Sequence, residues 1–220
     1  MGRYPRRMLL SRYSRLFLSA AASGLVATAG AATDPAGASA DVITAFHATL
    51  LDNMKHGKQY GCDGRAQRLS TAVDATYDIP FIAERALRRD WSQLTPDQRT
   101  QFVAAYKDMV TTTYATEFRS FDGDAFSTLD SKDLPNGFEV VHARLKPGHG
   151  DSHTFDYVLH PAAGGWRVAN VISDGVSTLS LQSEQYASVF DQKGGFGGLM
   201  AWLQGQTRDK RNECGAKSAG

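Results

Sequence analysis

From Asp41 onward the apolar positions of this chain follow two periods, and the change between them falls at Asp124. In the first half they recur at three and four. Ile43, Phe46, Leu50 and Met54 form one series, and Leu69, Ala72, Val73, Thr76 and Tyr77 a second, with Gly57 and the run Gly61-Cys62-Asp63-Gly64 as breakers between them. That spacing places the apolar side chains on one face of an α-helix. Asp78 with Pro80 marks a helix start for Phe81 to Leu87, and Thr95-Pro96-Asp97-Gln98 marks a stronger one. Thr95 can accept from the first backbone N–H groups, Pro96 suits the first helical position, and Gln98 completes a capping box. The helix that follows, to Phe118, sets Phe102, Tyr106, Met109, Val110, Thr113, Tyr114 and Phe118 along one broad face.

After Asp124 the runs are short and rich in β-branched and aromatic residues: Ala125 to Leu129, Phe138 to Leu145, Thr154 to Leu159 and Trp166 to Ile172. Pro135-Asn136-Gly137, Pro147-Gly148-His149-Gly150 and Gly164-Gly165 separate them, so neighbouring strands are predicted to pair antiparallel as a meander. Alternation puts Phe155, Tyr157 and Leu159 on one face with Val141, Ala143 and Leu145, and leaves His142, Arg144, Asp156 and His160 on a wetter one. The predicted fold class is α+β: N-terminal helices packed on a curved antiparallel sheet of about four strands, with C-terminal helices closing an apolar cavity. The same stripes would equally fill a dry core, and periodicity does not separate the two.

Composition divides the chain. Arg3, Arg6, Arg7, Arg12 and Arg15 precede an apolar run from Leu16 to Ala29, and Ala38-Ser39-Ala40 offers a cleavage site, with Ala31 or Ala32 as alternatives. That pattern predicts a cleaved export signal over residues 1–40, a single domain over 41–205, and a polar tail over 206–220. Removing the first 40 residues leaves 19 basic against 22 acidic residues. A net charge of −3 gives no basic surface for nucleic acid. Cys62 and Cys214 are the only cysteines. In an exported protein they can pair and pin the tail to the early helices, or remain separate thiols beside a disordered tail.

Catalytic patterns are sparse. His149-Gly150-Asp151-Ser152-His153 holds metal-ligand types, but in a glycine-rich hairpin turn without rigid support. His142 and Asp156, on adjacent strands, could form an acid–base dyad or a plain cross-strand pair on the wetter face. Ser177 and Ser180 lie beyond a glycine without a nucleophile elbow, and Cys62 sits in a turn with no histidine close in sequence. Gly194-Gly195-Phe196-Gly197-Gly198 lacks the lysine and hydroxyl of a phosphate loop and reads as a helix stop. No metal and no cofactor are expected.

The order of motifs is more specific than any one of them. Gly64-Arg65, Tyr77-Asp78-Ile79-Pro80-Phe81, Trp91-Ser92-Gln93-Leu94-Thr95-Pro96, Tyr114-Ala115-Thr116-Glu117-Phe118, Trp166-Arg167-Val168, Asp174-Gly175-Val176-Ser177 and Gln185-Tyr186-Ala187 follow the export signal in turn. Over Val42 to Leu203 this series resembles the periplasmic lipid-binding family of MlaC and the toluene-tolerance proteins. Val73-Asp74-Ala75-Thr76-Tyr77-Asp78 and Phe121-Asp122-Gly123-Asp124-Ala125-Phe126 look closest to its hopanoid-associated HpnM branch. The resemblance implies a non-enzymatic carrier in the periplasm that holds a phospholipid or hopanoid. Its partners would be an inner-membrane ABC transporter complex, with a substrate-binding membrane subunit, and an outer-membrane acceptor.

On that reading Phe102, Tyr106, Met109, Val110, Tyr114, Phe118, Val141, Phe155, Tyr157 and Ile172 line the cavity. Leu179, Leu181, Tyr186 and Phe190 pack over its mouth as a lid, while Ser177, Thr178, Ser180 and Gln182 face water and the head group. The chain departs from the family pattern in carrying Gln182-Ser183 where Tyr-Arg is common, and Asn170 where Asp is usual. Loss of that arginine fits a less charged ligand.

Overall fold

Helix-period and strand-period segments fold into separate layers in a computed structural model that describes residues 36–216. The expected export segment up to residue 35 lies outside the described residues. The first layer contains α1 (Ala36–Lys55), α2 (Gly57–Thr76), α3 (Ile79–Leu87), a 3-10 turn (Arg88–Gln93) and α4 (Pro96–Glu117). Asp78 caps α3 by accepting from the Phe81 N–H at 3.0 Å. At α4 both halves of the capping box form, Gln98 N–H to Thr95 Oγ1 at 3.2 Å and Thr95 N–H to Gln98 Oε1 at 2.9 Å. The glycine breaker after residue 60 appears as a kink within α2, where Gly61 takes φ 61°, a conformation that L side chains disfavour.

The second layer is a five-stranded antiparallel sheet in sequence order: β1 (Ala125–Leu134), β2 (Phe138–Lys146), β3 (His153–Ala162), β4 (Gly165–Ser173) and β5 (Val176–Ser177). The two-residue β5 adds a strand to the four expected, and bulges fall at Leu129 on β1 and at Ala169 on β4, the latter opposite the step from Val158 to Leu159 on β3. Val141 opposite Tyr157, and Tyr157 opposite Val171, fix the inner face. Two helices follow, α5 (Thr178–Gln192) and α6 (Phe196–Ala216), so residues 206–216, expected as a polar tail, continue a helix.

The helix lying directly on the sheet is α1, against β1, β2 and β4. Against the expectation that the Phe102 to Phe118 face lines a cavity on the sheet, α4 packs mainly on α2 and α6. Its broad apolar face is divided between them, and only the C-terminal end, at Tyr114 and Phe118, reaches the sheet side. The Phe118 ring sits 5.9 Å from that of Phe126 on β1. At the start of α1, buried Ser39 donates to the buried Glu139 carboxylate of β2.

Cys62 and Cys214 form a disulfide with Cα atoms 5.6 Å apart, joining α2 to α6. Beside it lies Arg65, 1% exposed. Its guanidinium donates from Nε to the Ala115 carbonyl at 3.1 Å and from Nη1 to the Gly57 carbonyl at 2.6 Å, with Nη2 3.1 Å from the Cys214 sulfur. One buried cation thus satisfies carbonyls of α2 and α4 next to the covalent link. Gly57 has no room for a side chain, since a Cβ there would lie 2.0 Å from the Arg119 carbonyl oxygen.

The disulfide spans 152 residues of sequence. Breaking so long a loop constraint in the C62S/C214S variant is expected to lower the unfolding free energy by about 4 kcal/mol, read from denaturant midpoints against the oxidised parent.

Candidate functional site

Between α1 and the sheet the interior is built of aromatic rings. Phe46 meets Tyr77 and Tyr114 edge-on, with centroids 5.4 and 5.1 Å away. The hydroxyls of Tyr77 and Tyr114 share a hydrogen bond. One residue along α1, His47 stacks on Phe126 at 4.2 Å and its Nε2 lies 2.9 Å from the Tyr157 hydroxyl. Phe155 stacks on Tyr157 at 6.1 Å, Phe118 on Tyr114 at 5.8 Å, and buried Val141 lies on the sheet floor. Burial pushes the Tyr114 phenol up to about 12 and those of Tyr77 and Tyr157 well above their ordinary value. It pushes His47 down to about 4. At neutral pH this set of groups carries hydrogen-bonding atoms and no charge, which suits apolar matter and gives no poised acid or base.

A second aromatic group lies on the side of the C-terminal helices. Tyr186 of α5 meets Phe102 at 5.9 Å and Tyr106 at 6.3 Å, both edge-on, and Trp202 of α6 at 5.9 Å. The Met109 sulfur is 3.5 Å from the Thr207 hydroxyl. The Tyr106 hydroxyl donates to Gln182 Oε1 at 2.7 Å, so Gln182 reaches inward and does not face water as expected. Leu179, Phe190 and Val110 are half-buried against the same core.

Two of the expected lining residues stand apart. Leu181 is 47% exposed on α5. Ile172 pairs with Asp156 and therefore shares the outer face with His142, while Val171, opposite Tyr157, takes the inner position. An extra residue in β4, Ala169, falls opposite the step from Val158 to Leu159 and flips the alternation between Val168 and Val171, a displacement that a regular period does not reveal.

Strand, turn and helix are joined tightly at the rim. Ser177 caps α5 by accepting from the Ser180 N–H at 3.2 Å. Asn170, on β4, donates to Ser177 Oγ at 3.0 Å and accepts from the Leu179 N–H at 3.2 Å. The Ser177 hydroxyl also lies 3.3 Å from Asn170 Oδ1, so the single amide holds both Ser177 and the start of α5.

The groups considered for catalysis are dispersed. His142 Nδ1 lies 2.7 Å from Asp156 Oδ1 and its Nε2 3.7 Å from Asp130, a partly exposed cross-strand cluster on the outer face. His149 pairs with Asp122 at 3.2 Å in solvent, and His153 pairs with Asp174 at 3.0 Å. Among the described residues no group of histidine, cysteine and acidic side chains has the arrangement to hold a metal ion. Ser177 is used as a helix cap, Cys62 is oxidised, and Gly194 and Gly195, with φ 82° and 73°, turn the chain between α5 and α6.

A family model described as MlaC protein matches residues 44–205, from the first turns of α1 into α6. The chain belongs to the MlaC family. The toluene tolerance protein ttg2D of Pseudomonas putida is 23% identical over 159 residues, covering 70% of this chain and 74% of that protein. The fold of this chain matches that of the phospholipid-binding protein from Ralstonia solanacearum, solved in complex with a phospholipid. The TM-score is 0.70 and the identity 20%, over 78% of this chain and 98% of that one.

Phe46, His47, Tyr77, Phe126 and Trp202 belong to the aromatic interior of this MlaC-family chain but are absent from the residues expected to line it. A signal for His47 exists in the sequence, because it stands four residues after Ile43 on the apolar face of α1. Trp202 similarly follows Leu199 at helical spacing.

The His47 shift sets a pH dependence. Its pKa is about 4 folded and 6.5 unfolded, so the unfolded chain binds the extra proton between those values. Stability contributed by neutral His47 is complete above pH 6.5 and is lost as pH falls through 4, by about 3 kcal/mol. Unfolding free energies measured between pH 7 and pH 4 should show this slope, and an H47Q variant should flatten it. At the outer cluster, H142A and D156N should each change stability by no more than about 1 kcal/mol in denaturant titrations, as expected for a solvated pair.

Proposed function

We propose that this chain is a periplasmic lipid carrier. It takes the acyl chains of a membrane lipid into the aromatic interior between α1, α4 and the sheet. The observation that carries the proposal is membership of the MlaC family over residues 44–205, together with a fold shared with a protein whose structure contains a phospholipid. The interior adds physical support: it is apolar in its walls, neutral at its few polar atoms, and closed at one side by α5 through Tyr186 and Gln182.

Phe46, Tyr77 and Tyr114 fill the space that tails would need, so lipid enters by displacing rings and separating elements. Within the aromatic interior the hydrogen bonds between elements are single links, Tyr77 to Tyr114, His47 to Tyr157 and Tyr106 to Gln182. Each is worth about 1 kcal/mol net, whereas each tail methylene moved out of water contributes about 0.8 kcal/mol. A few methylenes therefore outweigh one link, and a full tail outweighs all three.

A phospholipid is the first reading of the ligand. A hopanoid, the reading of the HpnM-like branch, is the second, favoured by the uncharged Gln182-Ser183 pair beside the interior. In either case the carrier receives and delivers its lipid through an inner-membrane ABC transporter complex and an outer-membrane acceptor, without covalent chemistry. Export with cleavage after Ala31 or Ala32 retains Ser39 and its bond to Glu139, whereas cleavage after Ala40 removes both the residue and the first turn of α1.

Protein purified without detergent from a hopanoid-making host should yield stoichiometric lipid in its organic extract by mass spectrometry. The M109D variant, placing a charge among Phe102, Tyr106 and Thr207, should lose that lipid or fail to fold. A folded, fully loaded M109D would remove the C-terminal-helix side from the lining, and a lipid-free parent would overturn the carrier.

A further inference from the structure

A groove of about 420 Å³ runs between the C-terminal end of α3 and the N-terminal end of α5, lined by Glu84, Arg85, Arg88, Leu179, Ser180 and Ser183. We propose that it binds a phosphate ester or phosphate ion, held by the two arginines, the hydroxyls of Ser180 and Ser183, and the positive end of α5.

Four observations meet there. Among the described residues neither Arg85 nor Arg88 forms an ion pair, while the next residue, Arg89, engages Asp191 at 3.2 Å and Asp90 at 3.5 Å. Arg85 instead stacks on the Phe81 ring at 4.0 Å, which steadies its stem and leaves its N–H edge available.

Ser183 is 2% exposed, and its hydroxyl has no hydrogen-bond partner within the protein although it lines this groove. A buried hydroxyl without a partner is unfavourable, and an acceptor oxygen entering the groove would satisfy it. Arg88 adopts φ 49° at the end of α3, a region that costs an arginine more than a glycine. Such strain at a position that lines a groove points to a role for the side chain.

Fifteen residues of α5 direct their dipole at the groove. The Leu179 and Ser180 amides already donate to Asn170 and Ser177, so the helix offers its field and few N–H groups. With Glu84 opposing two arginines, the groove is net positive before that field is added. The chemistry selects a compact anion with several acceptor oxygens and a fixed charge, which arginine forks and serine hydroxyls match together.

Such a group has two sources, a soluble phosphate or the head group of an anionic lipid in a bilayer. Val176 and Leu181, 43% and 47% accessible, add exposed apolar surface at the start of α5. The site is independent of which lipid occupies the interior.

The test uses the full mature chain and two variants expected to keep the fold. S183A removes an unpartnered hydroxyl, and R88G relieves a positive φ, so neither should lower thermal stability. Backbone NMR is recorded while inorganic phosphate or glycerol 3-phosphate is added, and sedimentation is measured with vesicles of phosphatidylglycerol or of phosphatidylcholine.

Chemical-shift changes confined to residues 84–88 and 179–183, with affinity about tenfold weaker in each variant, would assign a soluble phosphate. Binding to phosphatidylglycerol vesicles alone, weakened by the same factor in both variants, would assign a lipid head group. Absence of both, or binding that S183A and R88G leave unchanged, would overturn the site. Lipid content of the same samples by mass spectrometry is read separately, so a failure here is distinct from a failure of the carrier.

Discussion

A phenol hydroxyl taken out of water must find a partner, and in the interior of this chain the partner comes from a different element each time. Tyr77, just after α2, bonds Tyr114 on α4. Tyr157 on β3 meets His47 on α1, and Tyr106 on α4 meets Gln182 on α5. The aromatic rings supply the apolar area that drives packing, and the hydroxyls decide which elements may pack and in what register. Arg65 applies the same rule with a charge, taking carbonyls from α2 and α4 beside the link to α6. The helical layer is tied together at that corner, by the neutral bonds of the interior, and at its surface by the charged pairs Arg68–Asp52, Lys107–Asp74 and Arg211–Asp108.

The sequence reveals the elements well because each carries its own local signal. The Thr95 capping box, the period of α4 and the glycine-marked hairpins act within a few residues, and all form as expected. What it does not reveal is which helix meets the sheet. The faces of α1 and α4 are both broad and apolar, and only packing shows that α1 lies on the strands while α4 divides its face between α2 and α6.

Placement of individual side chains follows the same division. Val141, Phe155 and Tyr157 are read correctly as inward by alternation, since their strands pair in simple register there. Ile172 is not, because the extra residue Ala169 in its own strand resets the alternation before it is reached. Gln182 looks like a solvent residue by polarity, yet the buried Tyr106 hydroxyl creates a demand for an acceptor that only the folded chain displays.

Gln182 and Ser183 show how closely interior and exterior are joined on α5. Consecutive helical residues point about 100° apart, so one turn can reach the Tyr106 hydroxyl with one side chain and line the groove beside α3 with the next. This turn has few independent ways to move. It is anchored behind by Asn170 and Ser177, and ahead by Tyr186 among the rings of Phe102, Tyr106 and Trp202. The first turns of α5 thus hold the inward Gln182 and the groove-lining Ser183 on one frame fixed at both ends.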